Sequence, residues 1–219
     1  TLIASLASAI LAASFKSASL FASVRSASLF ASKASATFFA SASSAILFNS
    51  ASSLAFAAAA ATAGTKLIDV RNNDEHDVAN RIGLRSDCLR ILTIGQDCCV
   101  GKMFTTLAIH QEMQHRNIAS TFRATGQTGI LIEGSGIPVD AIVSDFIAGA
   151  VEQLCSANDE HHWDVIEGQG SLFHPAYAGV SLGLLHGAQA DALVLCHEAG
   201  RTQMDEIEGY PVADFETLI

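Results

Sequence analysis

The sequence predicts an α/β fold, a parallel sheet with helices on its faces. Three observations carry this. From residue 89 onward, short apolar runs rich in Ile, Val and Leu alternate with longer stretches of helical character. Each apolar run is followed by glycine or polar residues rather than a tight two-residue hairpin turn. The run Ile91-Leu92-Thr93-Ile94 leads into a loop bounded by Gly95 and Gly101 that opens a helix-like segment. Parallel strands need crossover connections, and helices supply them.

The elements follow in order. Residues 67–71 read as a strand end and 72–85, polar and charged, as a linker. Residues 90–95 form a strand and 102–115 a helix. Residues 119–124 form the next strand. A helix over 139–154 is expected from apolar residues at Val139, Ile142, Val143, Phe146, Ile147, Ala150 and Val151. Residues 163–166 form a strand, 178–186 a helix and 192–196 a strand. Ligands of such sheets bind beyond the carboxyl ends of the strands. The chemistry is therefore expected just after Ile94, Ala124, Ile166 and Cys196.

Residues 1–66 are a different text. Residues 1–63 hold 22 Ala and 16 Ser, no acidic residue and no Gly or Pro, and Ser-Ala-Ser-Leu-Phe-Ala-Ser occurs at 17–23 and again at 26–32. Three readings stay open: an organelle transit peptide, a membrane span between Lys33 and Lys66, and placeholder letters for residues whose identity is unknown. The many serines argue against the span, and the want of turn residues argues against an ordinary folded domain. The segment is unassignable, and no function is read from it.

The whole chain of 219 residues carries a net charge of −10, and all 22 acidic residues lie from Asp69 onward. Nucleic acid is excluded as a partner, because phosphate-tracking surfaces need clustered Lys and Arg. The five cysteines, Cys88, Cys98, Cys99, Cys155 and Cys196, are odd in number and lack a zinc-like Cys-x-x-Cys pair. Reduced thiols in a cytoplasmic protein with no membrane partner are expected. Cys98 and Cys99 read as small residues filling a tight loop, or as thiols whose pKa a helix N-terminus and a lysine lower.

The loop Gly95-Gln96-Asp97-Cys98-Cys99-Val100-Gly101-Lys102 carries the functional reading. Strand, glycine-bounded loop, Gly-Lys and helix is the layout of a phosphate-binding loop, in which backbone N–H groups, the helix N-terminus and an ammonium converge on one anion. Five residues separate the two glycines, one more than usual. Met103 stands where a Ser or Thr hydroxyl would hold Mg²⁺. Thr105, in the first helical turn, joins the candidate binding set. Thr125-Gly126-Gln127-Thr128-Gly129 forms a second glycine-bounded polar loop, able to donate to an anion or to serve as a plain turn. Glu167 ends a strand beside the phosphate loop, where a metal-directing carboxylate belongs. Asp140 is the second metal candidate if Mg²⁺ is used, or serves the helix dipole. His174 and His197 are the proton-transfer candidates and Arg201 a clamp for a carboxylate or phosphate. His110, His115, His161, His162 and His186 read as structural or solvent-facing.

The stretch from about Leu89 to Pro211 resembles the P-loop domain of the DUF1611 family, often named after a D-glutamate N-acetyltransferase. The resembling segments are the loop through Met103, Ala124 to Ile130, Pro138 to Val143, Ile166 to Tyr177, Leu184 to Gly187 and Asp191 to His197. The loop and the Glu167-Gly168 turn also resemble dethiobiotin synthetase, an ATP-dependent carboxylating enzyme with a glycine–x5–Gly-Lys-Thr loop. That second resemblance carries over Lys102 and Glu167 as phosphate and metal contacts, but not Met103. Together they imply a P-loop NTPase-like three-layer α/β/α fold over 89–219, expected to be incomplete at its C-terminus. They also imply a Rossmann-like domain ahead of it, of which 1–66 is a remnant or a stand-in. The activity implied is transfer of acetyl from acetyl-CoA to the amine of a D-amino acid, D-glutamate above all, in a homo-oligomer acting in D-amino acid metabolism. The alternatives are an ATP- and Mg²⁺-dependent enzyme that activates a carboxylate or amine, and a nucleotide-binding protein without turnover. Glu167, His174, His197 and Arg201 are the catalytic candidates.

Overall fold

The computed structural model describes residues 57–65, 69–81, 88–155 and 161–218. The readings of residues 1–56, and Leu67 and Ile68 of the expected strand end, lie outside them; Asp69 and Val70 are in no strand. The chain divides into two compact units, residues 1–69 and 70–219. In the first, residues 57–62 are helical, as a run of alanine, the best helix former, dictates.

The second unit holds β1 (Leu89–Gly95), α1 (Lys102–His115), β2 (Ser120–Arg123), α2 (Gln127–Glu133), a 3₁₀ turn (Val139–Ala141), α3 (Ser144–Leu154), β3 (Trp163–Ile166), α4 (Ala178–Ala188), β4 (Ala192–Cys196) and α5 (Phe215–Leu218). The four strands pair in the order β2-β3-β1-β4, and every pairing is parallel. Leu92 and Arg123 both stand opposite Ile166, and Gly95 opposite Cys196. The carboxyl ends of all four strands therefore lie along one edge, as the sequence predicts.

The two faces of β1 read directly from its alternation. Leu92 belongs to a buried cluster with Ile142, Ile147, Val151, Ile166 and Leu184, contributed by β3, α3, α4 and the segment before α3. Thr93 points the other way, onto Thr106 of α1. The sheet is thus sandwiched between α1 and the α3–α4 pair. Each fully buried Leu or Ile contributes about 1.5–3 kcal/mol, so this cluster seats the sheet on which the loops stand.

Two sequence expectations need correction. The single helix over 139–154 is a 3₁₀ turn followed by a separate α-helix, with Ile142 and Val143 extended between them (ψ 143° and 135°). Ile142 turns into the core while Val143 is exposed. Ser144 and Asp145 then start α3, with the acid in its first turn, where the helix dipole favours it. Asp140 is therefore not a first-turn residue of that helix. The second correction concerns residues 125–129. Gln127, Thr128 and Gly129 are not loop; they open α2, with Gly126 at its N-cap position.

The described part of the linker, residues 72–81, has no helix or strand, yet it is fastened. The buried carboxylate of Glu152 on α3 accepts from the amides of Asn80 (2.8 Å) and Arg81 (3.0 Å) and from the Arg81 guanidinium (2.8 Å). A buried carboxylate is tolerated only with such partners.

Candidate phosphate-binding site

The loop between β1 and α1 is built from the inside outward. Asp97 is fully buried. Its carboxylate accepts from the Cys98 amide (2.6 Å), the Arg201 guanidinium (2.8 Å) and the Asp205 amide (2.7 Å). Burial pushes the Asp97 pKa up. The three hydrogen bonds and the Arg201 charge outweigh that and hold the carboxyl below its ordinary value. Gln96 is equally buried. Its Oε1 accepts from the Glu198 amide (3.1 Å) and pairs with Nδ1 of His197, and its carbonyl accepts from the Ser171 hydroxyl (3.0 Å). The first half of the loop is thus tied to the segment after β4 and to the turn after β3.

The second half faces outward. Cys99 and Gly101 both have positive φ, 55° and 89°, the alternation that makes successive N–H groups converge into an anion nest. Gly101 is exposed, and a Cβ there would meet nothing within 4 Å; the left-handed conformation favours glycine. Among the described residues, the amides of Cys99, Val100, Gly101 and Met103 have no protein acceptor. The Gly101 and Met103 amides are donors a helix start leaves open, those of Cys99 and Val100 belong to the loop before it, and all are backed by the positive end of the 14-residue α1. Lys102 is 6% exposed. Its ammonium donates to the Asp97 carbonyl at 2.7 Å, and burial lowers its pKa. A cavity of about 260 Å³ opens over the loop, lined in part by Cys98, Cys99, Asp140, Gln169, Tyr177 and Asp205.

Glu167, at the end of β3, is 5% exposed. Its Oε2 accepts from the amides of Thr125 (2.9 Å) and Gly126 (3.1 Å), and the Thr125 hydroxyl donates to the Glu167 carbonyl (2.7 Å). Burial raises its pKa, with Asp140 adding to it; the two amides pull the other way without cancelling the rise. With the folded pKa above the unfolded one, the ionised carboxylate costs stability at neutral pH. That cost disappears as pH falls through the carboxylate range. Glu167→Gln keeps a carbonyl oxygen for both amides and removes the charge. The variant is expected to be more stable than the parent at pH 7 in urea unfolding, with the gap closing as the pH is lowered toward 4.5. A variant less stable at pH 7 would contradict this account of the turn.

The other candidates are brought to the same edge but already have partners. His174 is fully buried and stacks on Tyr177, ring centroids 4.6 Å apart. Its Nδ1 accepts from the Ala176 amide (3.2 Å), which assigns the ring proton to Nε2, donating to the Asp205 carbonyl (3.0 Å). The ring is therefore a tie between two segments, with neither nitrogen turned to the cavity. Arg201 grips Asp97 and Glu198 rather than presenting an open fork. Asp140 is paired with Arg71 at 2.9 Å. A cluster of metal-ligand type among the described residues is Asp97, Cys98 and His174, with donor atoms within 4.8 Å of one another. Both carboxylate oxygens of Asp97 and both ring nitrogens of His174 are engaged in the bonds above.

The activated-thiol reading of the loop cysteines is overturned. Burial pushes Cys98 up to about 11, and a hydrogen bond to Asp205 followed by burial raises Cys99. All five cysteines are free, as expected. The histidines read as structural include His110 and His162, which pair with Ser120 (3.0 Å) and Thr121 (2.9 Å).

Asp205, Gln169 and Thr93 were not among the sequence candidates. Asp205 ties Asp97 and His174 through its backbone, which no side-chain pattern reveals, and its carboxylate meets the Cys99 thiol. Thr93 sits inside an apolar strand, and Gln169 between two glycines reads as turn. Gln169 donates through Nε2 to the Thr125 carbonyl, closing the second loop onto the β3 turn.

A family profile described as a domain of unknown function, the DUF1611 P-loop domain, matches residues 74–219. This chain belongs to the DUF1611 family. Two relatives carry the name D-glutamate N-acetyltransferase. One, from Tritonibacter scottomollicae, is 53% identical over 163 residues, 74% of this chain and 48% of the relative. The other, from a Pseudoalteromonas species, is 50% identical over 155 residues, 71% of this chain and 46% of the relative. The crystal structure of a DUF1611 family protein from Anabaena variabilis matches with a TM-score of 0.66 at 40% identity, over 71% of this chain and 46% of that one. This DUF1611 chain spans about half the length of the curated relatives it matches. No described helix is long and apolar enough to cross a membrane.

Proposed function

We propose that this protein transfers acetyl from acetyl-CoA to the amine of a D-amino acid, D-glutamate by analogy with its named relatives. The observation that supports it is the loop itself. Open amides at Cys99, Val100, Gly101 and Met103, on the loop whose Lys102 ammonium is held on the Asp97 carbonyl, fit a phosphate. Met103 offers no hydroxyl to Mg²⁺. Coenzyme A carries a pyrophosphate and a ribose phosphate and needs no metal to be held this way. Bound as its acetyl thioester, it would supply the activated acetyl group and leave as the free thiol.

The 125–126 loop spends its two amides and the Thr125 hydroxyl on Glu167, and the Thr105 side chain is hydrogen-bonded to the Cys196 thiol, so the proposed cradle is the 99–103 segment. The residue proposed to take the proton from the acceptor ammonium is Glu167, because burial raises its basicity toward that task. His174, with both nitrogens engaged, is a positioning residue in this reading, and Arg201 a brace for Asp97. His197, exposed, is held on Gln96. The test is thiol release: protein incubated with acetyl-CoA and D-glutamate is expected to liberate free coenzyme A. Glu167→Gln should slow that release by about 10²–10⁴-fold while still binding coenzyme A. Release no faster than from acetyl-CoA alone contradicts the proposal.

One observation favours a second reading. Asp140, Asp205 and Glu206 line the same cavity, and carboxylates beside a phosphate loop suit a divalent cation on a nucleotide. An ATP- and Mg²⁺-dependent enzyme resembling dethiobiotin synthetase would bind ATP far better with Mg²⁺ than without and release ADP. Homo-oligomer formation and a place in D-amino acid metabolism are proposed only by analogy with the family.

A further inference from the structure

We propose that Thr93 and Thr106 are positioning residues, forming a buried hydroxyl relay that locks the β3 turn to the phosphate loop. The relay starts at the Gly168 amide, which donates to Thr93 Oγ1 at 2.9 Å. Thr93 and Thr106 hydroxyl oxygens lie 2.9 Å apart, and Thr106 donates to the Lys102 carbonyl at 2.8 Å. The proton order follows from chemistry. An amide can only donate and a carbonyl only accept. Thr93 must therefore accept from Gly168 and donate to Thr106, which donates to Lys102.

Both threonines are buried, at 1% and 0% exposure. Burying a hydroxyl costs free energy unless it is hydrogen-bonded, and valine would fill the same space without that cost. The hydroxyls are explained by what they join. At one end the Gly168 backbone lies directly on β1, where any Cβ would overlap the Thr93 carbonyl. The neighbouring Glu167 holds the Thr125 and Gly126 amides. At the other end stands the first residue of α1, Lys102. The second loop, the β3 turn and the phosphate loop are thereby set as one body before any ligand arrives, and preorganisation of this kind raises affinity. The inference rests on the phosphorylated-ligand reading and names the residues that shape its seat.

The test compares Thr93→Val and Thr106→Val with Thr93→Ser and Thr106→Ser. It reads hydrogen exchange of the Gly168 amide by NMR and coenzyme A binding by calorimetry. Thr93→Val is expected to speed Gly168 exchange and weaken coenzyme A by about tenfold; Thr93→Ser, which keeps the hydroxyl, should restore both. Thr106→Val leaves Gly168 its acceptor, so it should weaken coenzyme A with Gly168 exchange near that of the parent. It also serves if Thr93→Val fails to fold. Unchanged exchange in Thr93→Val, or valine variants that bind coenzyme A as tightly as the parent, overturns the proposal. If the parent binds neither coenzyme A nor ATP, the functional reading falls, and exchange alone decides whether the relay holds the turn.

Discussion

Replacing Asp97 with alanine is expected to lower the unfolding free energy by about 3–5 kcal/mol, the scale for removing one partner of a buried ion pair. The carboxylate is fully buried and serves three donors from three places in the chain: Cys98 in the loop, Arg201 after β4 and the Asp205 amide beyond it. Without it, two amides lose their acceptor, and a guanidinium that is only 17% exposed keeps Glu198 and the Cys98 carbonyl alone. The effect also has a pH signature. The folded pKa is depressed, so the stabilisation is complete above the ordinary aspartate range and lost as pH falls through the folded value. Urea unfolding of parent and Asp97→Ala should therefore differ most near neutral pH and converge in acid. A loss below about 1 kcal/mol, the scale of one ordinary hydrogen bond, would mean that the 201–206 segment is not anchored there.

Lys102→Ala is expected to separate binding from folding. In the folded protein the ammonium is buried against a single backbone carbonyl, and that burial lowers its pKa. Its removal should cost little stability, because a poorly solvated charge is itself a burden. Affinity for a phosphorylated ligand should fall by about 10- to 100-fold, the scale of one charge-assisted hydrogen bond. Calorimetric titration beside a melting curve checks both halves. Retained affinity with lost stability would assign Lys102 to the core instead of the site.

The legible parts of this molecule were those where one physical signal dominated. β3 and β4 match the predicted spans and β1 starts one residue earlier, because short β-branched runs between polar turns admit few alternatives. The phosphate loop was legible because its glycines and lysine have a fixed job at a helix start. The break at Ile142 and Val143 was hidden by apolar residues that continue the helical period across it; the cue was Ser144-Asp145, a helix start inside a predicted helix. The helix at Gln127 was hidden behind Gly126 and Gly129, which read as turn. The candidate site residues were gathered at one edge by the parallel sheet, but their partners were not legible. Asp97 with Arg201 are 104 positions apart, and His174 with Asp205 meet through a backbone carbonyl.

The central claim is that a phosphorylated carrier sits on the open amides at the head of α1. Titration of the protein with coenzyme A in metal-free buffer tests it most directly. Saturable binding that needs no Mg²⁺ and is weakened about 10- to 100-fold in Lys102→Ala is the predicted result. No coenzyme A binding, with ATP bound only when Mg²⁺ is present, would contradict it.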